Sequence, residues 1–393
     1  MNFWRDLRSS IAILLATGVA CVPARALVTL NDSKDHIFVT GTFGVSRDSN
    51  IFANRDSAGD FIYSTGVSAE YTRRAGWIGV NASVSGNASR YGKVKSENFS
   101  NPSYSMELTK QTGRTTGSFT LSGARESRAD SAANLRATSW NYNAALNYKY
   151  PIINRFTLSG SFGYSARKYV DETQLSNLST YTSSTDIFYI LTNERDLVAG
   201  YRYRYSETSR NTSTTDQSVN AGVSGRIIKG INGSVRFGYQ VRTPQGSQGD
   251  SSNYRGISAS GAVSYAVNRK ISINGQLARD FSTTATDASV QTTTAGLSTG
   301  YSYNRQWTIS AGTGWGDSQF LGEKGRIVLD PGPPTLFGPN RHDNYANWNT
   351  SLSYILNEHF SATLTYAWFK NWSTVPFADF VRNSWGLTLS SRW

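Results

Sequence analysis

The chain has 393 residues, with 22 Tyr, 18 Phe, 10 Trp and 35 Gly but only 2 Met and 9 Pro, and a formal charge of +12. Its mean hydropathy is −0.42, and past the amino terminus there is no apolar run of about 18 residues, which excludes a membrane-crossing helix there. Cations come no denser than the pairs Arg73-Arg74 and Arg269-Lys270, so the basic balance does not point to nucleic acid.

Residues 1–26 read as a secretory signal peptide. Arg5 and Arg8 form the charged start, Ile11 to Ala20 the apolar stretch, and Ala24-Arg25-Ala26 the small-x-small cleavage site. Cys21 offers a lipid-anchor alternative, but Gly18 stands where such a motif wants Leu. Cys21 is the single cysteine, so a chain cleaved after Ala26 has no disulfide. Residues 27–36 are expected as a short periplasmic lead-in, too short for a folded plug, and 37–393 as one β-domain.

From residue 37 onward, apolar and small polar residues alternate with a period of two. Strands are expected near 37–46, 61–71, 76–88, 103–110, 116–126, 137–149, 155–167, 184–192 and 197–207. They continue near 217–227, 233–242, 254–266, 271–281, 288–302, 307–315, 345–356, 360–369 and 380–393. The alternation is weakest around residue 105 and at Ile187 to Leu191, so the even count is 18, with 16 as the alternative. Short Asn-centred turns recur at Asn154, Asn193, Asn232, Asn268, Asn304 and Asn357, and further turns are expected near Arg73-Arg74 and Gln111-Thr112-Gly113. Asn suits such turns because it tolerates left-handed backbone and can bond to nearby main chain. One long loop, Gly316 to Asp343, holds Pro331, Pro333, Pro334 and Pro339 and is expected to leave the sheet and partly cover the mouth.

This is the pattern of an all-β, antiparallel up-and-down transmembrane barrel. Trp77, Phe156, Trp307 and Phe360 follow short turns, where rings belong at a membrane interface. At the carboxyl end Trp385, Leu387, Leu389 and Trp393 alternate to a terminal aromatic, which resembles the last-strand signal that the barrel-assembly machinery recognises. The chain thus resembles Gram-negative outer-membrane barrels, porins rather than plugged siderophore transporters. More loosely, it resembles the barrels found with exopolysaccharide and PEP-CTERM systems and the porin sheaths of electron conduits. The resemblance implies lipid, lipopolysaccharide and the assembly machinery as partners, with an exopolysaccharide export system as a further one.

Period two places Arg167, Arg202, Arg204, Arg226, Arg236, Arg242 and Arg382 on the lumen wall, against fewer acids such as Glu70, Glu107 and Asp280. Solvated guanidinium groups there bias a pore toward anions, unless they pair with those acids across strands. The expected function is therefore a mildly cationic outer-membrane pore or export channel for small anionic solutes or a polysaccharide. The alternatives are a partner-holding barrel and, less favoured, a hydrolase. Of three histidines, only His342-Asp343 has a catalytic look, and neighbours in sequence do not make the facing geometry that proton transfer needs. No metal or cofactor motif occurs.

Overall fold

The computed structural model describes residues 28–30, 35–73, 76–130, 135–170, 175–246, 253–330 and 336–393. The proposed signal peptide and Cys21, Arg74 of one expected turn, and Pro331, Pro333 and Pro334 lie outside the described residues. The elements are β1 (Val28–Leu30), β2 (Asp35–Asp48), β3 (Asp60–Arg73), β4 (Gly79–Tyr91), β5 (Phe99–Lys110), β6 (Thr116–Asp130) and β7 (Leu135–Ile153). Next come β8 (Phe156–Val170), β9 (Leu178–Thr192), β10 (Arg195–Thr208), β11 (Thr212–Ile228), β12 (Ile231–Gly246), β13 (Tyr254–Ala266) and β14 (Ile271–Thr283). The last are β15 (Ser289–Ser302), β16 (Trp307–Leu321), β17 (Arg326–Asp330), β18 (Leu336–Asn340), β19 (His342–Ile355), β20 (Phe360–Ser373) and β21 (Phe380–Arg392). Three single-turn 3-10 segments complete the described residues, and none of these residues forms an α-helix.

The main sheet has 19 strands. β1 is a three-residue addition to the start of β2, and the other 18 form a ring. Neighbours in sequence pair antiparallel from β2 to β16, the ring continues through β19, β20 and β21, and β21 pairs back onto β2. Closure is carried to the last residue, since Val39 and Trp393 exchange two backbone hydrogen bonds of 2.9 Å each. The even count of 18 therefore stands and 16 falls. The segment around residue 188, where hydropathy does not alternate, is part of an unbroken β9 paired on both sides.

One end of the ring carries the short turns and both ends of the β-domain. Three of these turns repeat one geometry. Asn268 Oδ1 accepts the backbone N–H of Lys270 and Ile271 at 2.8 and 2.9 Å. Asn304 does the same for Gln306 and Trp307, and Asn357 for His359 and Phe360. Asn232 does not belong to this set: it lies inside β12, and the turn before it is Lys229-Gly230, with Gly230 at φ 84°. A two-residue hairpin turn needs left-handed backbone, which Gly supplies without steric cost.

The side chains are arranged inside out relative to a soluble protein. Val219 and Ile257, within β11 and β13, are 62% and 63% exposed, whereas Arg242 and Gln240 are buried. Phe156, Trp307 and Phe360 sit at the short-turn end in outward pairs or clusters: Phe156 with Tyr189 at 5.1 Å, Trp307 with Tyr354 at 4.4 Å, and Phe360 with Trp393 at 6.0 Å. Trp77 is exposed beside the Lys110 ammonium. Toward the other end Trp385 packs on Tyr366 at 4.3 Å, and Leu387 and Leu389 face outward between Trp385 and Trp393. Eight residues at about 3.3 Å each span roughly 26 Å of strand, which matches the apolar band of an outer-membrane barrel once tilt is allowed for.

The expected long loop is shorter and more ordered than the sequence suggests. β16 runs on to Leu321 and β19 starts at His342, and within the connection β17 and β18 form their own two-stranded ladder, with Pro339 inside β18. A separate short hairpin with register shifts tolerates Pro339, which a central strand of the barrel wall would not.

Candidate functional site: the lumen and its constriction

The inner wall has two characters. From β9 to β12 it carries charge. Arg202 and Arg204 stand between Tyr201, Tyr203 and Tyr205, the first two exposed on the outer face, so the period of the strand turns both guanidinium groups inward. Arg242 Nε bonds to Asp216 Oδ1 at 2.7 Å, and Arg204 Nε bonds to Asp216 Oδ2 at 2.8 Å. Arg204 Nη1 continues to Asp280 Oδ2 at 3.0 Å, and Arg202 Nη2 to Asp280 Oδ1 at 2.8 Å. Three guanidinium groups and two carboxylates thus form one alternating chain, in which each buried carboxylate oxygen gains a charge-assisted donor. Arg236 forms a separate pair with Asp186 at 2.9 Å and lies over the Phe188 ring.

The chain of charges exists because one hairpin folds inward. Pairing between β13 and β14 stops at Ala259 opposite Arg279, while β14 stays paired with β15 as far as Thr283 opposite Ser289. Beyond Arg279, β14 therefore parts from β13, while β15 stays paired with β16 as far as Ser289 opposite Leu321, and the tip bends inward. It docks on inward groups of β10, β11 and β12. Arg204 donates to the Phe281 carbonyl, Arg242 donates to the Ser282 carbonyl and, at 3.2 Å, to Thr283 Oγ1, and Thr212 donates to Asp287. Ser176 N–H donates to the Ala285 carbonyl at 2.8 Å. Phe281 is buried, and Ala288 and Val290 pack with Phe320 of β16. The sequence-based expectation gave the role of mouth cover to the loop after β16. That loop does reach the mouth edge, where Arg341 lies over Phe320 at 4.7 Å, but the tip of β14–β15 is what folds into the interior, against β10 to β12.

The remaining arginines are also engaged. Arg167 Nε donates to Asn141 at 2.9 Å. Arg226 stands at the short-turn end, with Glu194 at 2.6 Å and both side chains about half exposed. Arg382 Nε bonds to both carboxylate oxygens of Asp48, at 3.1 and 2.9 Å. Asp186 and Asp216 are partners that the sequence reading did not name. They occupy inward positions of the same register, so period two could have found them, whereas contacts between strands far apart in sequence carry no local signal.

From β13 to β20 the middle of the inner wall is uncharged. Serine, threonine, asparagine, glutamine and glycine face a recess of about 480 Å³. Aromatic rings turn inward beside it: Tyr345 stacks on Phe369 at 5.6 Å, and Phe369 on Phe380 at 5.5 Å. The suggested His342-Asp343 pair does not form. Asp343 is held by Arg341 at 2.6–3.0 Å, and His342 Nε2 instead meets Asp317 at 2.5 Å, on the face that carries Trp315 and Trp348. Among the described residues no group of three or more His, Cys, Asp and Glu side chains could hold a metal ion.

A closed, even-numbered antiparallel ring with apolar side chains outside and hydrated polar groups inside defines an outer-membrane β-barrel of porin type. Residues 213–392, from the start of β11 through β21, match the family described as "Putative beta-barrel porin 2". No curated protein matches the chain. Among solved structures, the chain is similar to OccK2 (OpdF) of Pseudomonas aeruginosa in complex with glucuronate, at 10% identity and a TM-score of 0.48, covering 91% of this chain and 97% of that one. It is similar to Pseudomonas aeruginosa OpdL at 10% identity and a TM-score of 0.44, covering 92% and 99%. It is also similar to the siderophore receptor PirA from the same organism, at 10% identity and a TM-score of 0.46, covering 90% and 80%.

Proposed function

We propose that this barrel is a diffusion channel for small hydrophilic solutes, narrowed at the mouth opposite the short turns by the β14–β15 tip and weakly selective for anions. The observation that carries this reading is the two-sided lumen. One wall is occupied by the docked tip and its ion pairs, and the other presents hydroxyl and carboxamide groups to an open recess. Weak anion preference rests on two small excesses of positive charge. The chain of three guanidinium groups holds only two carboxylates, and Lys149 lies over Phe188 with no acid in salt-bridge range among the described residues. Pairing of most other lumen arginines argues against strong selectivity, because a carboxylate within hydrogen-bond distance cancels most of the field of its partner.

In this reading residues 1–26 are the cleaved export signal, 27–36 the periplasmic lead-in, and Trp385, Leu387, Leu389 and Trp393 the assembly signal. The test is the reversal potential of the purified protein in planar bilayers under a potassium chloride gradient. A small potential of the sign for chloride preference supports the proposal. A strongly cation-selective current would overturn the charge argument.

A further inference from the structure

The uncharged part of the lumen has the chemistry of a binding surface rather than of a plain lining. On β14, Asn274 and Gln276 face the recess, and on β19 so do Asn347, Asn349 and the Tyr345 ring, with Ser264 of β13 completing it. The carboxamide groups of these four residues make no side-chain hydrogen bond to protein among the described residues, so each offers a donor and an acceptor to whatever occupies the recess. Two other inward amides are engaged, Asn141 by Arg167 and Asn371 by the Ala378 carbonyl, and Gln240, which has no partner among the described residues, is buried and out of reach of a solute. Tyr345 lies flat against the wall over Gly316, whose position leaves no room for a Cβ. The ring is thus held between main chain at Gly316 and the Phe369 ring, and together the two rings form the aromatic edge of the recess.

We propose that this recess is a subsite for an uncharged sugar unit, passing through the channel as a free saccharide or as part of a chain. A sugar ring has hydroxyl groups that both donate and accept around its edge and a C–H face that packs on an aromatic ring. An array of carboxamides beside one tyrosine matches both. No lysine, arginine, aspartate or glutamate lines the recess, so a sugar acid gains nothing there over a neutral sugar. The inference rests on the channel reading above and adds the class of solute.

The test is single-channel recording with maltohexaose added to one side, compared with glucuronate. Maltohexaose should interrupt the open current in a concentration-dependent manner, and glucuronate should do so less. Replacing both Asn347 and Asn349 by Leu should weaken the block by roughly tenfold, the equivalent of about one hydrogen bond in binding free energy. Tyr345→Leu is the second variant, and a heat-modifiable folded band on gel electrophoresis of either variant shows that the barrel still forms. A conducting protein that maltohexaose does not block, or that both variants leave equally blocked, overturns the subsite while the channel stands. Stronger block by glucuronate overturns the neutral-sugar assignment. A protein that conducts no current overturns both.

Discussion

Arg204 on β10 and Asp280 on β14 bond at 3.0 Å although three strands of the wall separate them. In a round ring of this size, strands spaced about 4.8 Å apart would hold two such residues well beyond side-chain reach. The contact is possible because β14 leaves β13 after Arg279 and carries Asp280 into the interior. The ion pair is thus a fastening between the mouth constriction and the nearby wall of β10 to β12.

Loss of this fastening should be read in the current. Asp280→Asn removes the carboxylate shared by Arg202 and Arg204, which leaves Arg202 facing the lumen without an acid and Arg204 with Asp216 alone. Anion preference should rise and current noise increase as the tip loosens, measured as reversal potential and open-channel variance. Identical values in wild type and variant would show that the tip is held by its backbone contacts alone.

Arg242 should matter more for stability. It is buried, with Asp216 on one side and the Ser282 carbonyl and Thr283 on the other. Arg242→Met strips a buried carboxylate of one partner while Arg204 remains, so a loss of about 3 kcal/mol is expected, at the low end for a broken buried pair. Urea unfolding of protein refolded into lipid vesicles measures it; a loss under about 1 kcal/mol would mean that the pair is hydrated.

The repeated turns predict small, equal effects. Asn304→Ala and Asn357→Ala each remove an oxygen that accepts two backbone N–H groups at 2.8–2.9 Å. Each should cost about 1 kcal/mol, because water can reach these turns and replace part of what is lost. Unequal losses between the two would show that one turn is held mainly by its neighbours.

Strand positions were legible in the sequence because period two is enforced twice, by lipid on one face and water on the other. Even β9 followed, where Phe188 turns inward against the pattern of an apolar run. Two features were not legible. The turn before β12 was assigned to Asn232 rather than Lys229-Gly230, since both Asn and Gly mark turns and a shift of two residues preserves every side-chain direction. The inward tip of β14–β15 was invisible, because its sequence reads as ordinary strand and its departure depends on distant partners such as Arg204, Arg242 and Ser176. The arginines and Asp280 were therefore found, but not Asp186 and Asp216.

Register can be checked by a pair of adjacent substitutions. Leu297 is exposed on the outer face of β15, and Ser298 is its inward neighbour. Leu297→Arg should cost about 2 to 4 kcal/mol near the bilayer midplane, and Ser298→Arg little. The urea midpoint in vesicles decides between them, and the reverse order would place the register one residue off.

The most direct measurement of the channel account is single-channel conductance of the wild type beside a variant lacking Ser282 to Ala288, the tip that folds into the lumen. The wild type should open as a stable pore, and the shortened protein should assemble and open with a clearly larger conductance. Equal conductance in the two proteins, or no current through an assembled wild-type barrel, would contradict it.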